Sequence, residues 1–377
     1  MSLAALMLAA SLSAAAAERP RGDNVWVFIV SVLEWKDSET YVPFPKAGRR
    51  DEALIKYFRQ NRKVPEDHIV WLKDEEATAR RIKAGLPRLL ERTKPGDTLF
   101  LYYAGHGSRE QPGITYFTPY DAEGAENLWP VPDIVGALEK DFHGDWALVA
   151  ADCCFSGGLC QEVVAHGKKA SYGCLASAQS SSPSTGEWTF SDSLLKGLNG
   201  SSRVDRDGDK SVRFGELADF VESEMAFSEQ QLSASAATGG FTRMTKLADV
   251  SHAESAPERV TVHWRDDKDY RAAVLGDCAA EAGKKGKRVH YYGWEETSDE
   301  CMPVETMRPY APPAAAYKDG APVFVEWNRV WYQAKVRGSY LGLTKIQYDG
   351  YDEYWDEWVA PARITGEAPC SPAPCGL

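Results

Sequence analysis

The sequence predicts an α/β unit built on a mostly parallel sheet flanked by helices, followed by two small all-β units. Three observations predict it. Between Asn24 and Gln179, short apolar runs rich in β-branched and aromatic residues alternate with amphipathic stretches, the pattern of strands joined by covering helices. Beyond Val260 the pattern changes to short, aromatic-rich alternating runs separated by polar turns. That second pattern occurs twice, which marks an internal repeat.

The elements follow in order. "NVWVFIVSV" (Asn24 to Val32) is a buried strand, and "GRRDEALIKYFRQN" a helix with Leu54, Tyr57 and Phe58 on one face. "HIVWLKD" is the second strand, and "ATARRIKAGLPRLLERT" a helix bent at Pro87. "DTLFLYYAGHG" and "DWALVAADCC" are the third and fourth strands, separated by a helical "PDIVGALEKDF", and "KASYGCLASAQ" is the fifth. In the tail, "VTVHWRDDKDYRAAVL" with "RVHYYGW" echoes "VFVEWNRVWYQAKVR" with "KIQYDGYDEYWDEWV": Trp264 matches Trp327, Tyr270 matches Tyr332, and Gly293-Trp294 matches Gly350-Tyr351. A Pro/Ala linker, "MRPYAPPAAAYKDGAP", separates the copies.

The 377 residues suffice for two or three cores, and 44% hydrophobic with 26% charged residues is ordinary for a soluble globular chain. A formal net charge of -12 argues against a nucleic-acid partner. No apolar run reaches the roughly 18 residues of a membrane span. "MSLAALMLAASLSAAAAERP" is apolar and Ala-rich, with Ala15 and Ala17 placed like a cleavage site, and reads as a signal peptide over 1–17 although it lacks the usual basic start. The protein is therefore expected to be secreted or periplasmic, where disulfides persist. Apart from Cys153 and Cys154 there are six cysteines, an even number, with Cys278–Cys301 and Cys370–Cys375 the expected local pairs. No cysteine or histidine grouping has structural-zinc spacing.

The chemistry sits at strand ends. Ligands of open parallel sheets bind beyond the carboxyl ends of the strands; the third strand ends in His106-Gly107 and the fourth in Asp152-Cys153-Cys154. Neighbouring strands lie about 5 Å apart, so the two side chains can meet. A thiol becomes a nucleophile when a base takes its proton or a positive charge lowers its pKa, and His106 can do either. The bland alternative for each residue is packing or a surface histidine.

From about Asn24 to Leu247 the chain resembles the caspase-like cysteine peptidases, metacaspases in particular. "YYAGHG" is similar to their histidine motif and "DCCFSG" to their D-x-C-x-S-G nucleophile motif, with "AGRRDEAL", "EEATARRI" and "YFTPYDA" similar to intervening segments. The roughly 50-residue separation of His from Cys agrees. Aligning Asp152, Ser156 and Gly157 makes Cys154 the nucleophile, and alternation along the strand turns Cys153 away into packing. The resemblance further implies an oxyanion hole from the backbone amides of Gly107 and Cys154. It places Asp152 in a pocket for Arg or Lys, through a charge-assisted pairing, with Glu34 or Asp37 as a second acid. Cleavage after Asp, as in caspases, is disfavoured by charge repulsion at Asp152.

Two weaker signals remain in that region. "DRDGDKSVRFGE" has Asp205, Asp207, Asp209 and Glu216 at positions one, three, five and twelve of a calcium loop, but Lys210 stands where Gly is expected and adds a positive charge. An exposed loop is the alternative reading. No cofactor is required for the chemistry, and calcium is a candidate activator. Lys168-Lys169 in "HGKKAS" is a candidate autoprocessing site for a basic-specific enzyme, or a solvated turn.

The tail repeats resemble Tudor/chromo-barrel or SH3-like modules, which implies small barrels with aromatic cages for ammonium groups. Trp331, Tyr354 and Trp355 are candidate contributors; the alternative is that these rings fill cores. The expected organisation is 1–17 signal peptide, 24–247 caspase-like peptidase unit, 258–310 and 320–366 the two SH3/Tudor-like barrels, and 367–377 a Cys-containing tail. The expected function is a metacaspase-type endopeptidase acting on protein or peptide substrates through His106 and Cys154, its barrels binding an unknown ligand. The rival is a binding or scaffold protein that works through its barrels, with an inactive caspase-like unit.

Overall fold

The computed structural model describes residues 24–111, 113–280 and 284–368. The leader expected at 1–17 and the Cys370–Cys375 pair lie outside the described residues.

Along the first unit run β1 (Val25–Ser31), α1 (Arg50–Lys56), β2 (Ile69–Lys73), α2 (Ala79–Leu90), β3 (Thr98–Ala104), β4 (Gly107–Gln111), β5 (Ile114–Phe117), β6 (Trp129–Pro130), α3 (Val131–Asp141) and β7 (Trp146–Asp152). They continue through α4 (Gly157–His166), β8 (Ser171–Ala176), α5 (Thr189–Leu198), β9 (Ser211–Arg213), α6 (Phe214–Ser228), β10 (Ala234–Ala237) and β11 (Lys246–Asp249). The main sheet has the order β10–β8–β7–β3–β1–β2. It is parallel except for β10, which runs antiparallel to β8. Pro87 lies inside α2.

Side-chain alternation divides the core in two. Leu99, Leu101 and Tyr103 of β3 face a cluster with Leu86 of α2, Leu138 of α3 and Val163 of α4. Phe100, Tyr102 and Ala104 face the opposite cluster, with Leu54 of α1, Leu194 of α5 and Leu217 of α6. A sheet buried on both faces explains why its strands read as continuous apolar runs. Cys160 of α4 is bonded to Cys174 of β8, a pairing the sequence left open. No helix among the described residues is long and apolar enough to cross a membrane.

The repeat is visible strand for strand. The first copy has β12 (Arg259–His263), β13 (Asp269–Ala279), β14 (Lys285–Tyr291), β15 (Glu300–Pro303) and β16 (Met307–Pro309). The second has β17 (Pro322–Trp327), β18 (Val330–Tyr340), β19 (Leu343–Tyr348), β20 (Glu357–Val359) and β21 (Ile364–Thr365). Both form a five-stranded antiparallel sheet in the same order, β15–β14–β13–β12–β16 and β20–β19–β18–β17–β21. Each long strand slips register at the same place, between Val274 and Gly276 and between Val336 and Gly338; such bulges bend a sheet. The end strands are two to four residues long and pair on one side only among the described residues, so what is seen is a bent five-stranded sheet rather than a closed barrel. Cys278 is bonded to Cys301 across the first copy, as expected.

Both copies pack on the end of α6. Phe227 lies edge-on to Tyr292 and Tyr310 at 4.7 and 4.6 Å, and the Arg259 guanidinium covers its ring at 4.3 Å. The second copy seats Leu343 against Ala226 and Leu232 and donates the Tyr340 hydroxyl to Glu222 at 3.1 Å.

Candidate active site

Strand register sets the geometry. In the β3–β7 ladder Ala104 is the partner of Asp152, and the Gly105 N–H donates to the Asp152 carbonyl at 3.3 Å. His106 and Cys154 each stand two residues beyond that matched pair, at the same sheet edge. The chain then turns at once into β4, and a Cβ on Gly107 would press into the Cys154 carbonyl oxygen and lie 2.9 Å from Cys153 Sγ. Only glycine fits, and the backbone of residue 107 is thereby laid against the residue that carries the thiol.

His106 is half-buried, its ring packed by Trp35 and Phe44 at 4.4 and 4.5 Å. Its carbonyl accepts from the Tyr103 hydroxyl at 2.7 Å, and its Nε2 lies 2.9 Å from the Val42 carbonyl. A carbonyl only accepts, so this contact puts the proton on Nε2 and leaves Nδ1 as the basic nitrogen. Burial pushes the imidazole pKa down, which keeps it neutral at pH 7.

Cys154 is half-buried, and its Sγ accepts from the Ser184 N–H at 3.2 Å. Burial raises the thiol pKa while that amide opposes the rise. Among the described residues His106 and Cys154 are not hydrogen-bonded to each other; each is held by a loop, His106 by the one between β1 and α1 and Cys154 by the one before α5. The lowered imidazole and the raised thiol are both neutral at pH 7. Cys153 points into the core beneath α3 and α4, 4% exposed, as alternation required. Ser156 of the motif is buried, and its hydroxyl accepts from the Ala178 N–H at 3.1 Å, tying the turn that carries Cys154 to the end of β8.

Asp152 is buried on the opposite face. Its carboxylate accepts from the Ser191 hydroxyl at 2.5 Å, which also shares a 2.5 Å hydrogen bond with Tyr102. Burial raises its pKa to about 6, against the pull of Ser191 and Ser177. A cavity of about 40 Å³ joins Asp152 and Cys154, walled by Leu33, Phe44, Pro45, Ser184, Glu187 and Trp188.

The expected second acid is not in this wall. Glu34 pairs with Lys46 at 2.6 Å, and Asp37 accepts from the Thr40 N–H at 3.1 Å, bonds that hold its carboxyl below the usual range. The reason is local: each has a partner within its own loop. Two acids that sequence reasoning missed are nearer. Glu187 lines the cavity, and Glu229, just beyond α6, is pushed up to about 8 by burial, with the charges of Asp152 and Glu187 adding to the rise. Neither sits in a motif, so nothing in the sequence marked them.

The carboxylate oxygens of Asp205, Asp207 and Asp209 lie within 4.8 Å of one another. Lys210 takes the left-handed conformation, φ 67°, so the turn expected of glycine is made without one. Arg213 pairs with Asp209 and, at 3.4 Å, with Asp207, and Glu216 accepts from the Arg206 and Arg213 amides at 2.8 and 2.9 Å. The Lys168 and Lys169 amides both donate to Glu139 of α3, at 3.0 to 3.1 Å.

Each repeat holds an aromatic pocket. Trp264, Tyr270, Tyr291 and Trp294 stand above Glu300 in the first, and Trp327, Tyr332, Tyr348 and Tyr351 above Glu357 in the second. Of the expected cage residues Trp355 lines the second pocket, whereas Tyr354 stacks on Arg109 at 4.1 Å. Trp331 is outside the pocket wall, because the strand alternation of β18 turns it away from Tyr332.

No family model matches the chain. Over 92 residues, 23% of this chain and 23% of the relative, it is 34% identical to metacaspase-7 of Arabidopsis thaliana, so the match spans about a quarter of that relative's length. Among solved structures it is similar to a Geobacter sulfurreducens protein (15% identity, 60% of this chain, 100% of the other, TM-score 0.43). It is also similar to caspase-1 of Spodoptera frugiperda (13% identity, 58% and 88%, TM-score 0.36). Over 29% of its length the chain is similar to the Arabidopsis SHH1 SAWADEE domain in complex with a trimethylated histone H3 peptide (18% identity, 97% of the other chain, TM-score 0.15).

Proposed function

We propose that this protein is a cysteine endopeptidase of the metacaspase type that cleaves after Arg or Lys. One observation carries the reading: strand register brings His106, Gly107 and Cys154 to one edge, beside a cavity with the carboxylate of Asp152 in its wall. The sequence similarity to a metacaspase supports the class. His106 Nδ1 takes the thiol proton, and the thiolate attacks the scissile carbonyl. The oxyanion is received by the amides of Gly107 and Cys154. The imidazolium then protonates the leaving amine, and water releases the acyl group. A guanidinium in the cavity meets Asp152, with Glu187 in the same wall.

The test uses fluorogenic peptides ending in Arg, Lys or Asp. Cleavage after Arg or Lys is expected to fall by at least about 10³-fold in Cys154→Ala. In Asp152→Asn the KM for Arg peptides is expected to rise about 10-fold or more, the worth of a hydrogen bond to a charged group. Preferential cleavage after Asp would reject the pocket.

Calcium is proposed as an activator held by Asp205, Asp207 and Asp209. The donor set and spacing fit an oxygen-liganded cation, and Arg213 must be displaced from Asp207 and Asp209. A calcium-dependent rise in thermal midpoint, lost in Asp207→Asn, is the expected outcome. Export is proposed on the leader's composition, and the Cys160–Cys174 and Cys278–Cys301 bonds support an oxidising compartment.

A second reading, binding through the tail, is favoured by the paired aromatic pockets. It accompanies the first unless wild type cleaves no peptide.

A further inference from the structure

Arg109 of β4 lies two residues beyond Gly107, and its guanidinium carbon sits 4.8 Å from the Phe155 ring, 4.1 Å from that of Tyr354 and 4.7 Å from that of Trp355. Its Nη1 donates to the carbonyls of Ser180, at 3.3 Å, and Tyr354, at 3.2 Å. Among the described residues no carboxylate pairs with it, and burial lowers its pKa. A partly desolvated cation held by rings and carbonyls is a directed contact: a planar guanidinium stacks and donates at once, as an ammonium does not.

What it touches is the nucleophile turn. Phe155 follows Cys154 and is held in the left-handed region, φ 59°. Its N–H donates to the Ser182 carbonyl at 2.9 Å, and two residues on, the Ser184 N–H donates to Cys154 Sγ at 3.2 Å. Arg109 therefore grips both the ring beside the thiol and, through Ser180, the start of the loop that supplies the sulfur with its donor. The other jaw, Tyr354 and Trp355, belongs to the second repeat.

We propose that Arg109 is a positioning residue that clamps the nucleophile turn to the second repeat, and that Trp355 is needed for the full reactivity of Cys154. The proposal rests on the assignment of Cys154 as nucleophile. An amide donor stabilises a thiolate, so a slack clamp weakens the Ser184 bond and makes the thiol less acidic. Simple loosening predicts the reverse, because a better-solvated thiol becomes more acidic. The side chains that act on Sγ or share its cavity are Tyr103 of β3, Asp152 of β7, Cys153 and Glu187, with His106 at the same sheet edge, and none is substituted.

The experiment follows alkylation of Cys154 by iodoacetamide across pH in the full chain, located by peptide mass, with Cys154→Ser as blank. Arg109→Ala and Trp355→Ala are expected to slow it at least about fivefold at pH 7 and to move its midpoint upward, with Arg109→Lys in between. Trp355 is 41% exposed, so its variant serves if Arg109→Ala does not fold. Midpoints that stay put or fall in folded variants overturn the clamp. In the peptide assay kcat is expected to fall about tenfold with KM within about twofold. If wild type cleaves no peptide while alkylation responds as stated, the peptidase reading fails and the clamp stands.

Discussion

Asp152 sets two pH dependences of opposite sign. Its carboxyl is raised to about 6 by burial, so it is charged above that pH, where the proposed pocket would attract a cationic substrate group. The KM for Arg peptides is expected to climb as pH falls through 6, with neutral-residue peptides as the control that isolates the charge. Stability runs the other way. A carboxyl raised above its unfolded value favours folding at low pH, and that contribution, about 3 kcal/mol for a shift of this size, is lost as pH rises through 6. Asp152→Asn is therefore expected to raise the thermal midpoint at pH 7.5 while weakening Arg recognition; a lower midpoint at that pH counts against a strained carboxylate. At this scale the sequence was readable where strand alternation carries meaning: it turned Cys153 into packing, and Cys153 lies in the core. It was silent for Glu187 and Glu229, whose importance comes from where a loop and a helix end happen to fall.

At the scale of elements, the β3–β7 register does most of the positioning, and it was legible because both strands are long, apolar and end in chemistry. The β4–β6 sheet was not expected, since "GSREQPGITYF" mixes polar residues with a Pro-Gly pair and shows no clean period. β10 was missed for a related reason: "ASAA" has no large side chain to signal a strand. The sharpest element-level test is Gly107→Ala, which must displace either the histidine loop or the nucleophile turn. Cleavage is expected to fall at least about 10²-fold, the scale of losing one oxyanion donor, with the far-ultraviolet spectrum unchanged. Wild-type kcat in that variant would remove Gly107 from the site.

For the whole molecule, the repeat and the Cys278–Cys301 bond were legible, whereas the seat of both copies on α6 was not, because Phe227 reads as one more apolar residue of an amphipathic helix. Phe227 is 2% exposed and bridges the first unit to the first repeat; Phe227→Ala is expected to cost about 3–5 kcal/mol and to open the 250–258 junction to an added Glu-specific endopeptidase, which can cut after Glu254 and Glu258. Unchanged resistance to that protease would mean the repeat is held by its other contacts. The Cys160–Cys174 bond has a different consequence. Lys168 and Lys169 fall inside the span it closes, so a self-inflicted cut there would add one water and one new amino terminus yet separate nothing. On a gel run without reductant a chain cut there would migrate with the uncut one, and only thiol treatment would part the two fragments. Such a cut would be counted by chain ends rather than by size.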